Sequence, residues 1–195
     1  MKVLGINGSP RKGGNTDILL DEALKGAGSV GCLCEKITLN ELDFSACQEC
    51  ESLSDNGDCI VNDDMQAVYS KVDKADVIIV ASPVFFGSLS AQTKMMIDRF
   101  QCRWRSKYVT GMGQHISAAK KGAFISVSAV DKEKYFNNAA TIIKIFFNTI
   151  DAVYSGELFC PGLENRGDAL KHPEMLLAAF DLGRKTTTVS KKGSL

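Results

Sequence analysis

Residues 2–17, KVLGINGSPRKGGNTD, decide the fold of this chain. An apolar run at residues 3–6 predicts a buried strand, and the glycine-rich segment after it predicts a loop. Apolar residues then recur at helical spacing, which predicts a helix over about 16–28 with Asn15 or Thr16 as its N-cap. The stretch therefore indicates a strand, a loop and a helix in succession.

The loop between this strand and this helix has the composition of an anion-binding site, because a helix N-terminus offers unpaired N–H groups to a negative charge. Gly8 and Gly13 have the spacing of a P-loop, but Gly14 and Asn15 stand where that loop has its lysine and its hydroxyl residue. The dinucleotide fingerprint G-x-G-x-x-G is also absent from the sequence. We therefore expect a terminal monophosphate here, with an ordinary strand-to-helix turn as the alternative. The expected phosphate ligands are Ser9, Arg11, Gly13, Asn15 and Thr16.

The rest of the chain alternates between strand and helix patterns. Further strands are predicted at about 32–39, 76–83, 123–128 and 152–159, and further helices at about 65–72, 90–102, 134–148 and 173–183. Alternation of this kind predicts an α/β fold, a doubly wound parallel sheet of five strands in the order 2-1-3-4-5. One domain, residues 1–185, is therefore expected, with residues 186–195 as a polar tail.

The remaining segments are predicted to be irregular. Residues 40–63 form a long polar loop that contains three cysteines, and residues 103–121 form a second loop. The paired acids Asp63 and Asp64 are expected to cap the helix that follows them.

The third strand ends in the segment Ser82–Ser88, SPVFFGS. A sheet of this order binds ligands between its first and third strands, so this segment and the glycine-rich loop should meet. Proline and glycine hold the turn open and two phenylalanines offer stacking area for a flat ring, although Phe85 and Phe86 could instead belong to the core. The ring is expected to be lined by Pro83, Val84, Phe85, Phe86 and Gly87, with Ser128 closing its remaining edge.

Two of these motifs resemble a known family. Gly8–Thr16 resembles the FMN phosphate loop of the flavodoxin-fold NADPH-dependent FMN reductases, and Ser82–Gly87 resembles the loop of that family that lines the flavin ring. The resemblance covers about residues 1–160 and implies a flavodoxin-like fold with FMN as cofactor and NAD(P)H as co-substrate. It implies an FMN-dependent oxidoreductase that passes electrons to a quinone, a flavin or a similar small acceptor.

Two other functions stay open at this point. One is an iron–sulfur flavoprotein electron carrier, and the other is a non-enzymatic flavodoxin-type shuttle, which the balanced charge disfavours. Hydride transfer to a flavin needs no acid or base from the protein, so no catalytic side chain is expected.

The cysteine-containing loop resembles the iron–sulfur flavoprotein branch of the family, but its motif is incomplete. Cys47, Cys50 and Cys59 match three expected cluster ligands, while Leu53 stands where the third cysteine of the motif would fall. Cys102 is expected on a helix that runs toward the opposite edge of the sheet. We therefore favour a loop without a cluster; a cluster completed by a non-cysteine or inter-subunit ligand, a zinc site and a redox-active cysteine pair stay open.

The composition of the 195-residue chain excludes several partners. The 23 basic residues equal the 23 acidic ones, which excludes the electrostatic footprint of a nucleic-acid or anionic-membrane protein. The sequence starts directly in a strand, so a cytoplasmic location is expected. The family resemblance implies a homodimer or homotetramer, with residues 103–121 at the interface. No motif specifies the acceptor, or NADH over NADPH.

Overall fold

A computed structural model describes residues 1–50, 59–110 and 120–188. Its sheet contains five long parallel strands, and a two-residue strand pairs antiparallel with the third of them. The strands are β1 (Lys2–Asn7), β2 (Leu33–Thr38), β3 (Val77–Phe85), β4 (Ser88–Leu89), β5 (Lys120–Val127) and β6 (Ala152–Cys160). The order β2-β1-β3-β5-β6 confirms the predicted order of the five long strands.

Helices cover both faces of this sheet. Their bounds are α1 (Asn15–Gly28), α2 (Met65–Lys74), α3 (Ala91–Arg99), α4 (Gln101–Arg105), α5 (Glu133–Thr149) and α6 (Pro173–Thr187). Short 3-10 turns lie at Leu39–Glu41 and Asp168–Lys171, and a π-helical turn spans Ser106–Thr110. In the described parts of the chain, no helix has the length and apolar character needed to cross a bilayer.

The continuous apolar run of β3 is explained by burial on both faces of the sheet. Ile78 and Val80 pack in the cluster that includes residues of α2, α3 and α5. Val77, Ile79 and Ala81 pack in the second cluster, with residues of α1 and α6. Successive strand residues point to opposite faces, so both halves of the core depend on this strand.

Two predictions, for the start of α1 and for the segment after α3, were wrong. Gly14, and neither Asn15 nor Thr16, is the N-cap residue of α1. Residues 103–110 are helical, and not a loop, because Cys102 and Ser106 are buried and salt bridges tie Arg103 and Lys107 to the rest of the domain. Residues 111–119 of that predicted loop lie outside the described residues.

The last helix also runs beyond its predicted end. Thr186 and Thr187 are buried, and their hydroxyls donate to the carbonyls of Leu182 and Gly183 at 2.7 Å and 3.1 Å. Burial and these bonds extend α6 to Thr187, two residues into the predicted tail. Residues 189–195 lie outside the described part of the chain.

The two acids before α2 act differently from the prediction. Asp64 occupies the N-cap position, but it makes no side-chain cap bond, and its Oδ2 accepts from the amide of Asp43 at 2.8 Å. Asp63 Oδ1 accepts from the amide of Met65 at 3.1 Å. Asp63 is therefore the residue that satisfies an N–H of the first turn.

Gly8 joins the end of β1 to β3 and to the start of α3. Its amide donates to the carbonyl of Ala81 at 2.8 Å, and its carbonyl accepts from Ser90 Oγ at 2.6 Å. A Cβ at position 8 would lie 1.8 Å from Thr93 Oγ1 and 3.2 Å from the Ala81 carbonyl. The junction therefore requires glycine.

Substituting Gly8→Ala should lower the free energy of unfolding by about 1–3 kcal/mol, the usual cost of overpacking. The double variant Gly8→Ala/Thr93→Ala should recover part of this loss, because Thr93 Oγ1 is the atom that the new methyl group meets. Urea unfolding curves measure both effects. Gly28→Ala is the matched control, since a Cβ there meets nothing within 4 Å. Equal stability of Gly8→Ala and the wild type would show that the contact is misassigned.

Candidate functional site

A cavity of about 180 Å³ opens at the carboxyl ends of β1, β3 and β5. It brings together the two loops that the sequence singled out, and it adds the segment that follows β6. The described residues that line it are Ser9, Arg11, Gly14, Asn15, Thr16, Pro83, Val84, Phe85, Val127, Ser128, Ala129, Leu163, Glu164 and Arg166. This cavity lies at the switch point of the sheet, where doubly wound folds bind ligands.

Two predicted phosphate ligands, Ser9 and Thr16, line the cavity and are almost completely buried. Ser9 Oγ accepts from the amide of Arg11 at 3.1 Å, which leaves the proton of its hydroxyl for another acceptor. Thr16 lies in the first turn of α1, beside the N–H groups that a helix N-terminus leaves without intrahelical partners. The guanidinium of Arg11 contacts the carbonyl of Glu164 at 3.4 Å.

The other two predicted ligands already have protein partners. Asn15 Nδ2 donates to the carbonyl of Asn165 at 2.8 Å, and Asn15 Oδ1 accepts from the amide of Ala169 at 3.1 Å. The amide of Gly13 donates to Asp17 Oδ2 at 2.8 Å. Asn15 lines the cavity, and its side chain holds the segment after β6 against α1, whereas Gly13 is not among the described lining residues.

Sequence reasoning missed Arg166. This residue lines the cavity, and its guanidinium donates to the carbonyl of Lys12 in the glycine-rich loop. The segment that carries it is anchored by the amide of Leu163, which donates to the carbonyl of Ser128 at 3.1 Å. Its position just after the last predicted strand could have indicated a cavity residue, because that strand ends at the same edge of the sheet as the two loops.

The flavin-ring loop divides into a part that lines the cavity and a part that forms a turn. Pro83, Val84 and Phe85 are among the described lining residues, whereas Phe86 and Gly87 connect β3 to β4. Both turn residues have positive φ, 50° and 75°, as a two-residue type I′ hairpin requires. Phe86 is completely exposed and Phe85 is 43% exposed, so neither belongs to the core.

The φ of Phe86 is unusual for a bulky residue, because the left-handed region is sparsely populated outside glycine, asparagine and aspartate. Gly87 is required for a second reason: a Cβ there would lie 3.0 Å from the ring of Tyr135. The packing of α5 against the turn therefore fixes a strained hairpin that projects an aromatic ring into solvent.

The donor set of the cavity fits FMN. Two hydroxyls, two guanidiniums and the N-terminus of α1 suit a phosphate, and the apolar side chains of Pro83, Val84, Phe85 and Val127 suit a flat ring. Ser128 also lines the cavity, and its Oγ accepts from the amide of Val130 at 3.1 Å. The described part of the cavity includes one carboxylate, that of Glu164.

A second cavity, of about 240 Å³, lies beside α4. Its described lining includes four cysteines, Cys47, Cys50, Cys59 and Cys102, together with Arg99, Trp104 and Arg105. The sequence had predicted that α3 carries Cys102 away from the cysteine-containing loop. That prediction was wrong, because the loop follows the helix to its far end.

Arg99 explains this path of the loop. Its side chain is only 1% exposed, and it donates to the carbonyl of Ser45 at 3.0 Å, to both carboxylate oxygens of Asp63 at 2.5 Å and 3.1 Å, and to Cys59 Sγ at 3.4 Å. Burial disfavours both charges of the ion pair, but the hydrogen bonds together outweigh it. The pKa of Asp63 is therefore lowered from its ordinary value, and the pKa of Arg99 is raised.

Substituting Asp63→Asn should lower the free energy of unfolding by about 3 kcal/mol near neutral pH, because it leaves the buried Arg99 without its counter-charge. The folded-state pKa of Asp63 is depressed, so its contribution is complete well above 3.8 and is lost as the pH falls through the folded-state value. The stability gap between wild type and variant should therefore shrink in acid.

Urea unfolding at neutral pH and at about pH 3 measures this gap. Asp64→Asn is the control, since that exposed neighbour accepts one backbone bond and has no ion pair with Arg99. A gap that stays constant over this range would contradict the assignment of the ion pair.

Comparisons with known proteins agree with the fold and show the family of the chain. The sequence profile of the NADPH-dependent FMN reductase family matches residues 1–157. An iron–sulfur flavoprotein of Methanocaldococcus jannaschii is 43% identical over 99 residues, 51% of this chain and 51% of that protein. The chain thus spans about half the length of the curated relatives that it matches at this level.

Two comparisons cover nearly the whole chain. A Bacillus subtilis protein provisionally named an NAD(P)H-dependent FMN-containing oxidoreductase is 26% identical over 97% of this chain and 100% of its own. The structure of an NAD(P)H:quinone oxidoreductase from Methanothermobacter marburgensis superposes with a TM-score of 0.73 at 17% identity, covering 94% of this chain and 98% of that one. The structural match shows that the fold is shared.

Proposed function

The chain belongs to the NADPH-dependent FMN reductase family, and from this premise we propose that it is an FMN-dependent oxidoreductase. It binds FMN in the cavity at the carboxyl edge of the sheet and passes electrons from NAD(P)H to a quinone, a flavin or a similar small acceptor. One observation carries the proposal: a single cavity at the switch point combines phosphate donors with an apolar wall.

The phosphate is held by two hydroxyls, two guanidiniums and the start of a helix. Ser9 and Thr16 supply the hydroxyl donors, and Arg11 and Arg166 supply the positive charge. A hydrogen bond to a charged group contributes about 1.5–3 kcal/mol, so each of the two buried hydroxyls should add about this much to the binding of the phosphate. Gly13 and Asn15 act indirectly, because their polar groups hold the loop and the segment after β6 in place.

The ring is held by the end of β3 and the loop after β5. Pro83, Val84 and Phe85 form its apolar wall, and Ser128 lies at its edge. The hairpin of Phe86 and Gly87 keeps the wall open, and the exposed ring of Phe86 is available to cover a bound aromatic ligand.

FMN, when bound, supplies the hydride-accepting and electron-donating chemistry. The residues of this chain bind and orient the group and limit the access of water to it. The ionisable side chains described along the cavity are Arg11, Glu164 and Arg166. Hydride transfer to the flavin requires none of them as an acid or a base.

We further propose a cytoplasmic homodimer or homotetramer. Trp104, Tyr108 and Val109, in the described part of the predicted interface segment, are 40–61% exposed. Their apolar surface is the feature that supports association. Zero net charge supports the absence of a nucleic-acid partner.

An iron–sulfur flavoprotein electron carrier is a second candidate function. The observation that favours it is the cavity lined by four cysteines. Its metal content is a separate question from flavin binding, because the two cavities share none of the described lining residues.

The double variant Ser9→Ala/Thr16→Ala should weaken FMN binding by about 3 kcal/mol or more, which is roughly a hundredfold in Kd or greater. Titration of the flavin-free chain with FMN, followed by flavin fluorescence, measures the change.

Riboflavin is the matched control ligand, because it carries the same ring without the phosphate. The affinity for riboflavin should be equal in the wild type and the double variant. Unchanged FMN affinity, or an equal loss of affinity for both flavins, would show that these hydroxyls do not hold the phosphate.

A further inference from the structure

The side chain of Asp17 holds the phosphate loop from the first turn of α1. Its Oδ2 accepts from the amide of Gly13 at 2.8 Å, and the φ of Gly13 is 64°, a left-handed conformation that favours glycine. The side chain of Asp17 is only 9% exposed. Asp17 thus fixes the loop directly before Gly14 and Thr16, which line the FMN cavity.

The same carboxylate places a negative charge next to the proposed phosphate site. The N-terminus of a helix attracts negative charge, and here the carboxylate of Asp17 and a bound phosphate would share one helix N-terminus. Two like charges that are partly shielded from water repel each other more strongly than in bulk water. Asp17 therefore stabilises the loop but opposes the phosphate unless a cation compensates its charge.

Lys36 supplies such a cation from the edge strand β2. Its Nζ lies 2.8 Å from Asp17 Oδ1 and 2.6 Å from Asp21 Oδ1. Asp17 and Asp21 are four residues apart on α1, so they lie on the same face of the helix. Partial burial disfavours the charged lysine, but the hydrogen bonds to the two carboxylates outweigh this effect and raise the pKa of Lys36. Lys36 therefore keeps its positive charge at neutral pH.

The register of the sheet directs Lys36 toward α1. Lys36 pairs with Gly5 of β1, and a Cβ at position 5 would meet the side chains of Leu20 and Leu24 on α1. Residues that pair across neighbouring strands face the same side of a sheet. Lys36 thus faces both carboxylates of α1, and because one lysine meets two acids, the cluster of Lys36, Asp17 and Asp21 keeps a net negative charge.

We propose that Lys36 is a positioning residue for the phosphate of FMN. It compensates the charge of Asp17, so that this carboxylate can hold the phosphate loop without repelling the phosphate. Lys36 is not among the described residues that line the cavity, and it acts through Asp17. This role rests on the proposed function, FMN binding at the carboxyl edge of the sheet.

Titration of the flavin-free chain with FMN and with riboflavin, followed by flavin fluorescence, tests the role of Lys36. Lys36→Met removes the charge and keeps a long side chain, so it should weaken FMN binding about tenfold and leave riboflavin binding unchanged. Lys36→Arg keeps the charge and should retain the wild-type ratio of the two affinities. Lys25→Met is the matched control, because Lys25 pairs with Glu22 at 2.6 Å in the last turns of α1, far from the loop.

Asp17→Asn tests the other member of the pair. It removes the charge and keeps an oxygen that can accept from the amide of Gly13, so FMN should bind more tightly than to the wild type. The double variant Lys36→Met/Asp17→Asn has the same net charge in the cluster as the wild type. It should therefore regain the FMN affinity that Lys36→Met loses, whereas a purely structural role would make the two substitutions weaken both flavins additively.

Circular dichroism establishes that each variant is folded, and Asp17→Asn decides the question alone if Lys36→Met does not fold. The proposal is overturned if folded Lys36→Met keeps the wild-type affinity for FMN or loses affinity for both flavins equally. It is also overturned if Asp17→Asn binds FMN no more tightly than the wild type. A wild type that binds no FMN would overturn the proposed function itself, which is a distinct result because it appears before any substitution is made.

Discussion

The hydrogen bond from the amide of Gly8 to the carbonyl of Ala81 joins the residue that follows β1 to the middle of β3, its parallel neighbour. Asn7 and Ala81 are paired in register, so the phosphate loop begins beside the last four residues of β3, which lead into the hairpin of Phe86 and Gly87. Ser90 extends the junction by donating to the carbonyl of Gly8. The positions of the phosphate loop, the ring loop and the start of α3 all depend on this contact.

The sequence was sufficient for the order of the strands and for the two loops that meet at the switch point. The signals for both loops were local. The phosphate loop lies between an apolar run and a helical period and is rich in glycine, and the ring loop is a short segment from a proline to a glycine. Arg166 and the role of Asn15 could not be predicted in this way. Both depend on contacts with partners about 150 residues away, which no local pattern encodes.

The helical path of residues 103–110 was missed for a related reason. Arg103 and Lys107 give this segment a polar appearance, but their charges pair with Asp73 and Asp151, and Cys102 and Ser106 face the interior. The burial of Arg99 could not be predicted locally, because a charged residue is almost never fully buried unless it is paired. Its partner, Asp63, had been explained as a helix cap. Asp63 does satisfy an N–H of the first turn of α2, but its ion pair with Arg99, which fixes the path of the cysteine-containing loop, has no local signal in the sequence.

Helix α3 therefore connects two chemically different cavities. Its N-cap, Ser90, contacts the phosphate-loop junction, and its last residue, Arg99, organises the cysteine loop. Nine helical residues separate these ends by roughly 14 Å. The fold thus provides one site built from strand ends and a second site built from a helix and a long loop, and each can be altered without removing the ligands of the other.

The central claim is that the cavity at the carboxyl edge of the sheet binds FMN for electron transfer from NAD(P)H. The most direct measurement is the visible spectrum of the flavin-free chain titrated with FMN without oxygen, followed by addition of NADPH or NADH. We expect stoichiometric binding, and bleaching of the flavin bands when the nicotinamide is added. A chain that binds no FMN, or a bound flavin that neither nicotinamide reduces, would contradict it.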